Sequence, residues 1–168
     1  LTTHKTIKNS DNVRRNSRTS LFFIGTPDQD WHGIDIIEEM ASKLPEYDFH
    51  IVGISNNNHS NLFYHGVLAQ KEYVKILEKC HICIGTLALH RKNLSEASPL
   101  KLREYLAYGY PTILGYQDTA FLGVKEPKWI LRINSQTNLD INSIKEFVES
   151  NKRIIVQHQF LDGFSSRT

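Results

Sequence analysis

Short apolar runs closed by glycine alternate along this chain with apolar residues set three and four apart. Leu21-Phe22-Phe23-Ile24, ended by Gly25, has no polar break, the form of a strand covered on both faces in a parallel sheet. A loop with Pro27, Asp28 and Asp30 leads to Ile34, Ile37 and Met40, which predict a helix stopping near Pro45. Phe49-His50-Ile51-Val52-Gly53 predicts a second strand, and Asn61-Leu62-Phe63-Tyr64-His65, closed by Gly66, a third. The polar stretch 55–60 between them is a loop tip. Tyr73, Ile76 and Leu77 mark a helix, residues 81–85 a strand and 86–95 a long loop. Thr112-Ile113-Leu114-Gly115 and residues 129–133 predict two more strands, and 144–148 a closing helix.

Strand and helix in alternation specify an α/β domain, a doubly wound, mostly parallel, Rossmann-like sheet of about six strands with helices on both faces. Loops 25–33, 66–69, 86–98 and 115–119 all follow strands and should gather at the carboxyl edge, where such sheets bind ligands.

Residues 96–111 read Glu-Ala-Ser-Pro-Leu-Lys-Leu-Arg-Glu-Tyr-Leu-Ala-Tyr-Gly-Tyr-Pro. Ser98 suits an N-cap and Pro99 the first helical position. Leu102, Tyr105 and Leu106 should face a core; Gly109 and Pro111 stop the helix. A capping box would place Glu or Gln three residues after Ser98, but Lys101 stands there. The helix start thus has free N–H groups, a positive dipole end and a nearby cation, which suits a phosphate. Glu104 lies on the face of Lys101, roughly 7–9 Å along the axis from the helix start. That is about the reach from a diphosphate to its ribose, and a carboxylate accepts from adjacent hydroxyls. On spacing alone, a capped surface helix with two solvated glutamates, Glu96 and Glu104, fits equally well.

Glu96 and Glu104, seven residues apart and followed by Tyr-Leu-Ala-x-Gly-x-Pro, resemble the E-x7-E signature of retaining GT-B glycosyltransferases of the family 4-like group (glycosyl transferases group 1). Ser-Pro-Leu-Lys-Leu-x-Glu-Tyr-Leu-Ala-x-Gly-x-Pro is a common form of it, and the likeness in element order runs over residues 20–160. The resemblance implies the C-terminal, donor-binding half of such an enzyme, transferring a sugar from a nucleoside diphosphate sugar, such as a UDP- or GDP-sugar, with retention. It implies a diphosphate at the helix start (Ser98, Pro99, Leu100, Lys101), the ribose on Glu104 and the sugar on the catalytic Glu96. It also implies backbone contacts to the base at Val67 and Leu68. In the family the first loop carries Arg after its first glycine and Lys before its second, both on the diphosphate. Here, between Gly25 and Gly33, those places hold Thr26 and His32. His32 reads either as a phosphate or sugar contact or as loop packing. Arg91 and Lys92 are candidate replacement cations, with solvated loop charges as the plain alternative. No metal and no cofactor is implied. The acceptor would be a glycan or glycolipid in cell-surface polysaccharide assembly, held by an N-terminal domain outside these residues. A nucleotide-sugar epimerase or a noncatalytic nucleotide-binding or assembly module are the competing readings.

Length and composition add bounds. The 168 residues suit one domain, here 21–160. Residues 1–20, with Lys5, Lys8, Arg14, Arg15 and Arg18, read as a polar linker or tail. Residues 161–168 read as a tail toward a final helix that the chain does not reach. A net charge of +2 without a clustered basic face argues against a nucleic-acid binder. No apolar run spans a bilayer and no signal peptide is evident. A cytoplasmic protein with peripheral membrane contact of the full-length form is the expectation. Cys80 and Cys83 form a lone C-x-x-C. If both lay in a strand they would point to opposite faces and neither chelate nor pair.

Overall fold

The computed structural model describes residues 6–8, 18–93, 96–97 and 100–157, without the side chains of residues 96, 97 and 100. Ser98 and Pro99, most of the 1–20 segment and the tail from 158 lie outside the described residues.

Strands β1 (Ser20–Ile24), β2 (Asp48–Val52), β3 (Leu62–Tyr64), β4 (Ile82–Ile84), β6 (Thr112–Leu114) and β8 (Ile130–Arg132) form one sheet in the order β3-β2-β1-β4-β6-β8. Every pairing is parallel, with Leu21 beside both Phe49 and Ile82, and Thr112 beside both Cys83 and Ile130. The chain winds outward from β1, returns to lay β4 on its other side and continues away. Strand order therefore reverses between β1 and β4, where the flanking crossovers leave a crevice.

Period-two alternation sorts the side chains. Leu21, Phe23, Phe49, Ile51, Ile82 and Ile84 face α1 (Ile34–Lys43) and α4 (Ile141–Asn151). Phe22, Val52 and Cys83 face α2 (Gln70–Leu77) and α3 (Leu100–Ala107). Each buried Phe or Leu contributes about 1.5–3 kcal/mol through water exclusion. Leu102, Tyr105 and Leu106 of α3 are buried, as their spacing predicts.

Two features depart from the sequence reading. Strands β5 (Glu96–Ala97) and β7 (Gln117–Asp118) form a separate parallel pair, in a loop region where no strand is predicted. Cys80 lies ahead of β4, its Sγ donating to the Ile76 carbonyl at 3.4 Å. It shares one apolar cluster with Cys83, so the opposite-face argument does not apply; both are free thiols.

Within the N-terminal stretch, Lys8 is 3% exposed. Its ammonium donates to the carbonyls of His81 and Ile154, each at 2.7 Å, and of Asn151 at 3.4 Å. The Ile7 and Lys8 amides both donate to the Tyr108 carbonyl, at the end of α3.

Candidate functional site

The site is built where β1 ends. The Gly25 amide donates to the Val52 carbonyl at 3.0 Å. A Cβ on Gly25 would meet the Phe23 ring at 2.7 Å and His32 Nε2 at 2.8 Å, so glycine lets the backbone pass between them. The Thr26 amide donates to His32 Nε2 at 3.2 Å. That nitrogen is therefore the acceptor, and the ring proton sits on Nδ1, which is enclosed and has no partner among the described residues. Burial first, then the Lys101 charge, hold the His32 pKa down to about 4. Gly33, with φ +75°, turns the chain into α1.

The loops after β1 and β4 are joined. The Leu87 amide donates to the His32 carbonyl at 3.2 Å and that of Ala88 to the Trp31 carbonyl at 3.0 Å. Arg91 reaches Asp35 through two bonds of 2.9 and 2.8 Å, and Asp30 Oδ1 at 3.1 Å. Lys92 Nζ stands 3.9 Å from the Trp31 ring centroid. Arg91 thus links the loop after β4 to Asp30 and to Asp35 of α1, and Lys92 stands over Trp31.

From the other side comes α3. The Lys101 ammonium lies 4.3 Å from the Phe23 ring centroid, shut off from solvent, with no hydrogen-bond acceptor among the described residues. Burial draws its pKa to about 7. The Tyr105 hydroxyl accepts from the Ile24 amide at 3.1 Å and so pins α3 to the last residue of β1. The spacing of Tyr105 predicts only a core position; nothing in it reveals that bond. Glu104 is half-buried beside α2. Burial first, then the Tyr108 hydroxyl and the Glu104 charge, push the Tyr73 hydroxyl up to about 12.

Gly25, Thr26, His32, Gly33 and Lys101 thus come together around the end of β1. Glu96 lies on β5 in register with Gln117. Leu100 opens α3. Val67 is 76% exposed, whereas Leu68 packs against the Phe22 cluster. A cavity of about 660 Å³ lies between the loops after β1, β2 and β3, lined in part by Asp28, Gln29, Ile54 and Val67. A further cavity of about 430 Å³ lies between α1 and the loop after β2, lined in part by Glu38, Asn57, Asn61 and Tyr64. Among the described residues no three metal-binding side chains converge, and no helix is long and apolar enough to cross a membrane.

No family model matches the chain, and no curated protein matches it in sequence. Among solved structures, the apo form of the lipopolysaccharide outer core galactosyltransferase WaaB superposes with a TM-score of 0.61 at 14% identity, over 99% of this chain and 49% of that one. The glycosyltransferase of kitacinnamycin follows at 0.48 and 12% identity, over 92% and 39%. A structure of accessory secretory proteins 1, 2 and 3 of Streptococcus pneumoniae gives 0.47 and 12%, over 89% and 34%. The chain spans about half the length of the galactosyltransferase it resembles, at 49%. In fold, it is a glycosyltransferase-like domain: the doubly wound, Rossmann-like half of a GT-B architecture.

Proposed function

We propose that this domain binds the nucleoside diphosphate sugar of a retaining glycosyltransferase and presents it to an acceptor, a glycan or glycolipid, held by another domain. One observation carries the reading: an enclosed ammonium, Lys101 Nζ, lies at the carboxyl edge where strand order reverses and has no acceptor among the described residues. An unpaired buried cation is costly and calls for an anion. In this reading the diphosphate lies against the start of α3, at Ser98, Pro99, Leu100 and Lys101, and the ribose hydroxyls on Glu104. Val67 and Leu68 offer backbone to the base, and Glu96 contacts the sugar. The leaving group is a nucleoside diphosphate, so stabilising its developing charge with fixed dipoles and Lys101 is the main catalytic task. Calorimetry of this chain with UDP, GDP and their sugars should show binding, with Kd on the order of 10 μM to 1 mM, and little or no sugar transfer. No heat from any nucleoside diphosphate would overturn the reading; fast transfer by this chain alone would overturn the division between domains.

A second reading has one observation in its favour. The Thr26 amide, a natural phosphate donor after β1, is already taken by His32 Nε2. A noncatalytic module would keep that bond in every state. The same calorimetry separates the two, since such a module gives no heat.

A further inference from the structure

We propose that the diphosphate enters this site together with a proton, which is taken up by the amine of Lys101. The inference rests on the donor-site reading above and adds its regulation by pH. The geometry comes first. Lys101 Nζ is enclosed over the face of Phe23 and has no acceptor among the described residues. An ammonium so placed has lost its water and gained only a ring face, so the neutral amine competes well until an anion arrives. Burial accordingly brings its pKa to about 7. A bound diphosphate supplies both the counter-charge and the acceptor oxygens, and returns the amine to its protonated form.

The neighbouring groups leave the proton no better place. On the loop after β1, His32 Nε2 already accepts the Thr26 amide and would lose that bond on protonation. Lys101 and, more weakly, Lys92 of the loop after β4 oppose a charge on His32. β1 presents the Phe23 ring. On α3 itself Arg103 and Glu104 stand two and three residues away, and β5 carries Glu96, whose side chain is not among those described. Ligand release then returns the proton to solvent, so alkaline conditions favour an empty site.

The test is titration calorimetry of this chain with UDP and GDP at pH 8 in two buffers of different ionisation enthalpy, repeated from pH 7 to 9.5. Close to one proton should be taken up per nucleotide at pH 8, and the apparent Kd should rise about tenfold per pH unit above the free amine's pKa. In Lys101→Met, folded as judged by circular dichroism, residual binding should be weak and free of proton uptake. Lys101→Arg, which stays charged, should bind without proton uptake. Nucleotide binding with no proton exchange in the unaltered chain overturns the proposal and leaves the donor-site reading standing. Proton uptake that persists in Lys101→Met does the same. Absence of any nucleotide binding across the range overturns both.

Discussion

A Cβ on Gly53 would stand 1.6 Å from the carbonyl oxygen of Gly25. The turns leaving β1 and β2 are pressed together, and Gly53 adopts φ +96° to allow it. The Gly53 amide donates to the Gly66 carbonyl at 2.7 Å, so the turn after β3 is drawn into the same arrangement. Three loops of the carboxyl edge thus depend on one missing side chain.

Gly53→Ala should therefore do more than the usual damage. The left-handed conformation costs a β-carbon about 1–2 kcal/mol, and backbone overlap adds to it. A loss of more than about 3 kcal/mol in urea unfolding is expected. A loss under about 1 kcal/mol would show that the two turns separate freely.

Lys8 offers a second test. It ties the N-terminal segment to the start of β4 and the end of α4 through three backbone carbonyls. Lys8→Met keeps the apolar stem but strands those acceptors, at a cost of about 2–4 kcal/mol. Burial also draws the Lys8 pKa to about 7, below its ordinary 10.5. Between those values the unfolded chain binds the proton more readily, so stability rises with pH across that range. Lys8→Met should show a smaller rise between pH 7 and 9 than the unaltered chain.

Much of this architecture was legible in the chain. Leu21-Phe22-Phe23-Ile24, unbroken by a polar residue, predicts a strand covered on both faces, and the six strands read from the chain appear in one sheet. The β5–β7 pair was hidden because two residues carry no periodicity and Gln117-Asp118 is polar. Lys8 was illegible for another reason: its acceptors lie 73, 143 and 146 residues away. No local pattern marks a lysine as buried when tertiary packing supplies its partners. The spacing of Glu96, Lys101 and Glu104 identified α3 as the element to watch, but not that Lys101 would be sealed over Phe23 from the adjoining strand.

Acid should weaken the fold through histidines held neutral. His32, His50 and His81 each have pKa values lowered to about 4, in every case chiefly by burial. Ring nitrogens of His32 and His81 accept the amides of Thr26 and Ser20, and His50 Nδ1 lies 2.9 Å from His65 Nε2. Their contribution is complete above about pH 6.5 and is lost as pH falls toward 4. The urea midpoint should fall steadily over that range. His50→Phe, which keeps the stacking on Phe63, should flatten part of the dependence. An unchanged slope would show that His50 takes up its proton as readily in the fold as in the unfolded chain.

Arg91 discriminates between clasp and ligand cation. Its side chain is 26% exposed and bonded to both Asp30 and Asp35. As a clasp, Arg91→Ala should cost about 1 kcal/mol of stability and change nucleotide affinity no more than about threefold. A loss beyond about tenfold, roughly 1.4 kcal/mol, would mean that the guanidinium leaves its aspartates to meet the diphosphate.

Glu104 carries the remaining weight of the donor reading, because its place beside α2 serves either a ribose or only the electrostatics of Tyr73. Glu104→Gln preserves size and removes one strong acceptor. If the carboxylate accepts from two ribose hydroxyls, nucleotide affinity should fall by about ten- to a hundredfold, since hydrogen bonds to a charged group contribute about 1.5–3 kcal/mol. The 2′-deoxy and 3′-deoxy nucleotides should lose comparable affinity with the unaltered chain and little more with Glu104→Gln, because the interaction is already gone. Equal losses with deoxy ligands in both proteins would place the ribose elsewhere. Pyrophosphate, which has no ribose, should bind both proteins alike, separating the role of Glu104 from that of Lys101.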